Sequence, residues 1–176
     1  MQYRAATAED VPALVALGRE SFVAAFGDLY RAEDLAAFLD EAHDPVAVAG
    51  EIAGNQCRHR LAFDEAGALV GYCKLRHPSK LAALSSARDP IELSQLYCAA
   101  GATGRGVGAA LMDWALQEAA DGGHDAIHLS VYSENHGAQR FYARYGFVWT
   151  ADTTFRVGEQ IDEEFLFEKK LTGDAA

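Results

Sequence analysis

Residues Ile91 to Leu111 read IELSQLYCAAGATGRGVGAAL, and the spacing of their apolar residues changes partway along. Ile91, Leu93 and Leu96 space as in a strand, a glycine-rich bend follows, and Val107, Ala110, Leu111 and Trp114 recur at helical intervals. The stretch predicts a strand, a loop and the start of an amphipathic helix.

The chemistry expected of the bend follows from its backbone. Gly104, Gly106 and Gly108 lack the β-carbons that would hold a ligand off the chain, and the first N–H groups of the helix behind them have no intrahelical acceptor. Because the helix dipole makes that end partly positive, the ligand it suits is an anion such as a pyrophosphate, with Arg105 as a further cation. A flexible strand-to-helix connection is the plainer alternative. Two nucleotide-binding patterns do not fit. Gly104, Gly106 and Ala109 satisfy G-x-G-x-x-G/A, but the acid that pattern needs, here Asp125, precedes the next strand instead of closing it. A P-loop needs Lys and then Ser or Thr after its last glycine, and Val107 follows Gly106.

With 176 residues, half of them hydrophobic, the chain is long enough for one sizeable core. We expect one domain over residues 1–172 and a short tail at 173–176. The opening MQYRAATAED carries no apolar run of signal-peptide length, and no segment approaches the ~20 apolar residues of a membrane span, so a cytoplasmic location without a membrane partner is expected. Cys57, Cys73 and Cys98 are odd in number and lack C-x-x-C spacing, which reads as reduced, buried thiols and not as a disulfide framework or zinc site. His43, His59, His77, His124, His128 and His136 are scattered, with no pair at ligand spacing beside a carboxylate, so no metal is expected. The formal charge of −11 disfavours nucleic acid and suits a cationic partner, or serves solubility alone.

Taken in order, the chain opens with a short extended run, Gln2 to Ala5, and then Thr7 with Asp10 caps a helix that ends near Gly27. Ala32 to Ala42 reads as a second helix, and Asp44-Pro45 opens a third that reaches about Gly54. Arg58 to Asp64 and Ala68 to Arg76 flank Glu65-Ala66-Gly67 as a β-hairpin. After an irregular segment, Pro78 to Pro90, come the strand, bend and helix already described, with a stop at Asp121-Gly122-Gly123. Ala126 to Tyr132 is a strand, and Ser133 or Asn135 caps a short helix whose apolar face is Ala138, Phe141, Tyr142 and Tyr145. Two extended runs follow, separated by Gly158-Glu159-Gln160. The order is mixed α/β, antiparallel at first and with one strand-helix-strand crossover.

Two stretches together resemble a known family. LYCAAGATGRGVGAALM is similar to the acyl-CoA motif Q/R-x-x-G-x-G/A of the GNAT (Gcn5-related N-acetyltransferase) superfamily, and SVYSENHGAQRFYARYGF to its following motif N-x-x-A-x-x-x-Y-x-x-x-GF. The likeness runs from about Arg4 to Leu171 in element order and is strongest from Glu92 to Phe147. It departs at Thr103, where the family has Gln or Arg, and at Cys98, where Val often closes the strand. The resemblance implies a GNAT-like α/β fold, a twisted and mostly antiparallel central sheet with one parallel crossover and helices on both faces.

It also implies acetyl-CoA as cosubstrate and an amine as acceptor. The cofactor contacts it points to are Leu96, Tyr97 and Cys98 on the strand, Thr103, Gly104, Arg105, Gly106, Val107 and Gly108 in the bend, and Asn135 and Tyr142 beyond it. An alkylamine has a pKa near ~10.4, so a base must take its proton, acting through water. Glu92 is the candidate, with a solvent-facing strand glutamate as the plainer reading. The backbone N–H of Cys98 would hold the acetyl carbonyl. Tyr142 matches the tyrosine that returns a proton to the thiolate, or else is a core aromatic. Asn135 is a helix cap, a partner of the pantetheine arm, or both.

Asp28, Glu33 and Asp34 fall in the region that lines the acceptor side in the family. The tail TFRVGEQIDEEFLFEKKL resembles the bacterial polyamine branch, so spermidine-like amines are implied. The alternatives are acetylation of a protein or peptide N-terminus and a catalytically silent CoA-binding regulatory module. The resemblance also admits a homodimer.

Overall fold

In the computed structural model, which describes residues 1–171, Asp10 organises the start of the chain. Its carboxylate accepts the Thr7 backbone N–H at 2.8 Å and both terminal nitrogens of Arg4 at 2.7 Å. The Arg4 pairing, with the Thr7 bonds, holds that carboxyl at about 2 against the rise that burial imposes. A short 3₁₀ turn then leads into α1 (Val11–Phe26), followed by α2 (Ala32–Ala42) and α3 (Pro45–Ala53). Helix α3 starts where expected because Asp44 accepts the Ala47 N–H at 2.9 Å and Pro45 needs no donor partner at the first turn. The expected tail at 173–176, and residue 172, lie outside the described residues.

One seven-stranded sheet crosses the molecule. Its strands are β1 (Gln2–Ala5), β2 (Cys57–Phe63), β3 (Leu69–Arg76), β4 (Pro90–Cys98), β5 (Ala126–Tyr132), β6 (Val148–Val157) and β7 (Gln160–Lys170). They lie in the order β1-β2-β3-β4-β5-β7-β6, and every neighbouring pair is antiparallel except β4 and β5. That parallel pair requires a crossover, supplied by α4 (Val107–Asp121). A last helix, α5 (His136–Arg144), follows β5.

Alternation along the strands divides the core in two. Ile127, Leu129 and Val131 pack with Leu111, Met112 and Ala115 of α4 on one face, while Leu61 and Tyr72 pack with Leu14, Leu17 and Val48 on the other. Leu111, fully buried, contributes about 1.5–3 kcal/mol of apolar burial. Phe22, Leu39 and Val157 tie α1 and α2 to β6. Helices thus cover both faces of a mostly antiparallel sheet, as expected. Among the described residues no helix is long and apolar enough to cross a membrane.

The feature that positions the site is a bulge. Lys74 of β3 faces Gln95 of β4, yet Leu75 faces Leu93, so Ser94 is the extra residue. Strands β4 and β5 pair only through Pro90–Ala126, Ile91–Ile127 and Glu92–His128. The bend at Ser94 comes directly after the last rung, and from there the two strands part.

Candidate active site

The parting opens a cleft of about 260 Å³ between β4 and β5. Its walls include Leu96 and Tyr97 of β4, Ser130 and Tyr132 of β5, and Asn135 and Tyr142 from the start and body of α5. On the β4 side, Ala99 donates its backbone N–H to Val70 of β3 at 2.9 Å. Successive N–H groups of a strand point to opposite edges, so the Cys98 N–H points toward the cleft, where β5 no longer offers an acceptor. The Cys98 thiol turns the other way: a β-carbon added at Gly108 would lie 3.7 Å from its sulfur, under the start of α4. Burial pushes that thiol up, which keeps it protonated and weakens it as a nucleophile.

The bend beyond Cys98 has the backbone the sequence predicted. Gly104 and Gly106 take φ of 76° and 82°, conformations that strain any residue with a β-carbon, and Gly106 sits directly before α4. Ala110 makes the first intrahelical bond, to Gly106 O at 3.0 Å, which leaves the N–H groups of Val107, Gly108 and Ala109 without an intrahelical acceptor. Three donors at the positive end of a 15-residue helix make a fit for a phosphate. Two side chains in this group do something other than face a ligand. Val107 is buried in the core, and Thr103 Oγ1 donates to Ala100 O, closing the turn. Arg105 is exposed beside the bend.

Tyr142 lines the cleft from α5, packed against Phe141 and Phe147. Burial, reinforced by nearby Tyr97, Cys73, Cys98 and Glu164, raises its phenol well above the ordinary value, so it carries its proton throughout the physiological range. Asn135 Oδ1 caps α5 by accepting the Ala138 N–H at 3.1 Å, and the residue also lines the cleft.

Glu92 is not in the cleft. Its carboxylate accepts the Lys80 N–H at 2.7 Å and the Ser94 hydroxyl at 3.0 Å, and it opens on a second cavity of about 460 Å³ below α2 and α3. The two cavities share Ser94, Gln95, Tyr97 and Phe155 in their walls, so they meet at the bulge. The second cavity is not an acidic bowl. Glu51 there is held by Lys74 at 3.0 Å and Arg76 at 2.7 Å, and Lys80 and Arg156 add further positive charge. Burial raises the Glu51 carboxyl, but His59, Lys74 and Arg76 outweigh it and bring it to about 2.

The acids expected on the acceptor side behave differently from expectation. Asp34 is buried, paired to Arg31 at 2.8 Å, and accepts the Glu159 N–H at 2.9 Å, which ties α2 to the turn between β6 and β7. Glu33 is exposed in the same arginine's reach, and Asp28 borders a separate surface depression. None of the three lines the cleft. Glu164, which the sequence reading passed over, does line it. Its signal was parity: in β7, Asp162 and Glu164 share a face with the fully buried Leu166.

The histidines are also less scattered than their numbering suggests. His77, Asp89 and His124 present ligand atoms within 4.8 Å of one another, with His77 Nε2 at 2.8 Å and His124 Nδ1 at 3.0 Å from the Asp89 carboxylate. The three come from a loop, the approach to β4 and the turn before β5, so linear spacing could not reveal them. They lie away from the cleft walls. Cys57, Cys73 and Cys98 are free thiols, as expected.

Comparison with known proteins agrees with this geometry. The acetyltransferase (GNAT) family matches residues 19–147. An uncharacterized N-acetyltransferase of Mycobacterium bovis is 33% identical over 162 residues, covering 92% of this chain and 98% of that protein. Among solved structures, the PaiA N-acetyltransferase of Thermoplasma acidophilum in complex with coenzyme A aligns with TM-score 0.78 and 22% identity, over 96% of this chain and 98% of its own. Arabidopsis thaliana NAA60, in complex with a bisubstrate analogue, aligns with TM-score 0.75 and 16% identity, over 98% and 99%.

Proposed function

The chain belongs to the acetyltransferase (GNAT) family, and we propose that it transfers the acetyl group of acetyl-CoA to a primary amine of a small cationic acceptor by direct attack in a ternary complex. The observation that carries this reading is the alignment of two bare donor sets along one path. The α4 N-terminus offers N–H groups for the diphosphate, and the Cys98 N–H faces the cleft where the thioester carbonyl would lie.

In this reading the amine nitrogen bonds to the acetyl carbon, the carbon–sulfur bond breaks, and the acceptor's lost proton is matched by the one the departing thiolate gains. Cys98 N–H holds the carbonyl oxygen as charge develops on it. Tyr142 is the donor to the thiolate: burial keeps its phenol protonated but also weakens it as an acid, so this role depends on the thiolate lying beside it in the cleft that it lines. Glu92, across the bulge in the adjoining cavity, draws the acceptor's proton through water. The Cys98 thiol, half-buried and pushed up by that burial, supports direct attack over an acetyl-cysteine route.

The net charge of −11 favours cationic acceptors, polyamines among them. Peptide amines remain the competing class, and the likeness to NAA60 gives reason to include them. The test is release of free CoA thiol from acetyl-CoA across polyamines, monoamines and short peptides. Turnover with small amines supports the proposal. Turnover with peptides alone would move the acceptor class, and binding of acetyl-CoA without turnover on any amine would favour a silent CoA-binding module.

A further inference from the structure

Among the described residues, Glu164 is the only acid lining the cleft, and the roles assigned above do not use it. It stands on β7 opposite Tyr132 of β5 and Thr153 of β6, across β5 from β4, and contributes to the cleft wall from there. Only 9% of the residue is exposed, and its Oε2 has no hydrogen-bond partner among the described residues. Burial pushes its carboxyl above the usual carboxylate range, with the Ser130 hydroxyl pulling the other way and Asp162 adding to the rise. A buried acceptor atom without a donor is costly and calls for an explanation. Asp162, its neighbour along the face, is satisfied by the Tyr30 hydroxyl and by Gln160 Nε2 at 2.8 Å. Glu164 keeps a bare oxygen where Asp162 does not.

The group that completes such an oxygen is a charged N–H donor, because a charge-assisted bond is the strong kind and a buried site screens it less than water does. The rest of the wall says what carries that donor. Phe22, Phe26, Tyr30, Tyr97, Tyr132 and Phe155 supply rings around the one carboxylate. Rings bury an apolar body and attract a cation by their faces. A polycation needs an excess of free carboxylates along its length, and the adjoining cavity does not offer one: of its acids Glu41, Glu51 and Glu92, Glu51 is paired to Lys74 and Arg76 and Glu92 accepts two hydrogen bonds, and the cations Lys74, Arg76, Lys80 and Arg156 outnumber them.

We propose that Glu164 is the counter-ion that seats the acceptor's ammonium, and that the acceptor is a small monoamine carried on an apolar, ring-bearing body. The inference rests on the acetyltransferase reading and narrows its acceptor away from polyamines. Glu164 is in this role a specificity-determining residue: it binds the amine, and the removal of the amine's proton is a separate step.

Calorimetric titration of phenethylamine, 2-phenylethanol and spermidine, with and without coenzyme A, tests the seat without any variant. Phenethylamine should bind at least about tenfold more tightly than its uncharged analogue 2-phenylethanol and than spermidine, the range set by one hydrogen bond to a charged group. Glu164→Gln should raise the KM for phenethylamine about tenfold to a hundredfold while the KM for acetyl-CoA stays within about twofold, and Glu164→Asp should recover part of the loss. Equal binding of phenethylamine and 2-phenylethanol, preference for spermidine, or an unaltered phenethylamine KM in Glu164→Gln would overturn the proposal. Acetyl-CoA binding without phenethylamine binding defeats the Glu164 seat alone, whereas phenethylamine binding without acetyl-CoA binding defeats the acetyltransferase reading and leaves the seat standing.

Discussion

Glu92 lies opposite His128 in the last rung that β4 and β5 share, and Ser94, two residues on, is the bulge at which they separate. His128 is fully buried and bonds Ser79 Oγ at 3.1 Å and Glu168 Oε2 at 2.9 Å, so the paired end of β4 and β5 is pinned while the strands part beyond it. The cleft is therefore set by strand register, and side chains at its rim can change without closing it.

Tyr142→Phe removes the proposed proton donor and keeps the ring that packs on Phe141 and Phe147. The kcat is expected to fall about tenfold to a thousandfold, the range for loss of acid–base help, with the KM for acetyl-CoA little altered. Steady-state kinetics decide it. An unaltered kcat would make Tyr142 a packing residue.

Gly106→Ala tests the anion cradle. No atom lies within 4 Å of a β-carbon placed there, so the penalty comes from φ of 82° alone and is about 1–2 kcal/mol. If the chain relieves that strain by turning the donors of α4, acetyl-CoA affinity falls about tenfold or more. Gly108→Ala, whose added carbon meets Cys98 Sγ at an ordinary 3.7 Å, leaves the fold intact and probes crowding at the phosphates alone. Calorimetry on both variants separates the two effects.

The strand, bend and helix around Gly106 were legible because all of their determinants are local: alternation, then glycines, then helical spacing. Asp44 and Asn135 could be read as caps for the same reason, since a cap needs only the N–H three residues on. The bulge at Ser94 was not legible, because an extra residue exists only relative to the strand it faces, and Lys74 and Leu75 define it from elsewhere in the chain. Glu92 was accordingly assigned to the strand but not to its cavity. The meeting of His77, Asp89 and His124 is likewise a product of topology. Asp34 was placed on the acceptor side by its position near the loop between the first helices, but position along the chain does not show that Arg31 and the Glu159 N–H take up its carboxylate.

Gly158→Ala should loosen the packing of α2 against the turn between β6 and β7. Its added carbon would lie 2.5 Å from the Asp34 Cα, a backbone atom that cannot swing away, at a φ of 59°. Overpacking and left-handed strain together predict a loss of about 2–4 kcal/mol. Chemical denaturation measures it. A loss under about 0.5 kcal/mol, the range of ordinary surface changes, would show that the turn does not press on α2.

Stability should fall as the pH drops from 6.5 toward 4, and His43 is the cause to isolate. Burial, with Lys74 and Arg19 nearby, lowers its folded pKa from 6.5 to about 4, so between those values the unfolded chain binds the extra proton. The contribution is fully present above pH 6.5 and is lost on acidification through the folded value, up to about 3 kcal/mol at about 1.4 kcal/mol per pH unit. His43→Gln should flatten that part of the profile. Glu164, raised by burial, works in the opposite direction, and so the difference between the two proteins, not the wild-type curve, is what reads His43. Parallel curves for both would contradict the assignment.

The most direct measurement is a crystal structure of the protein with acetyl-CoA. The diphosphate should lie on the main-chain N–H groups of the bend and of Val107, Gly108 and Ala109, with the thioester carbonyl accepting from Cys98 N–H and the sulfur beside Tyr142. A cofactor bound elsewhere, or a cleft between β4 and β5 left empty at saturating acetyl-CoA, would contradict the account at its base.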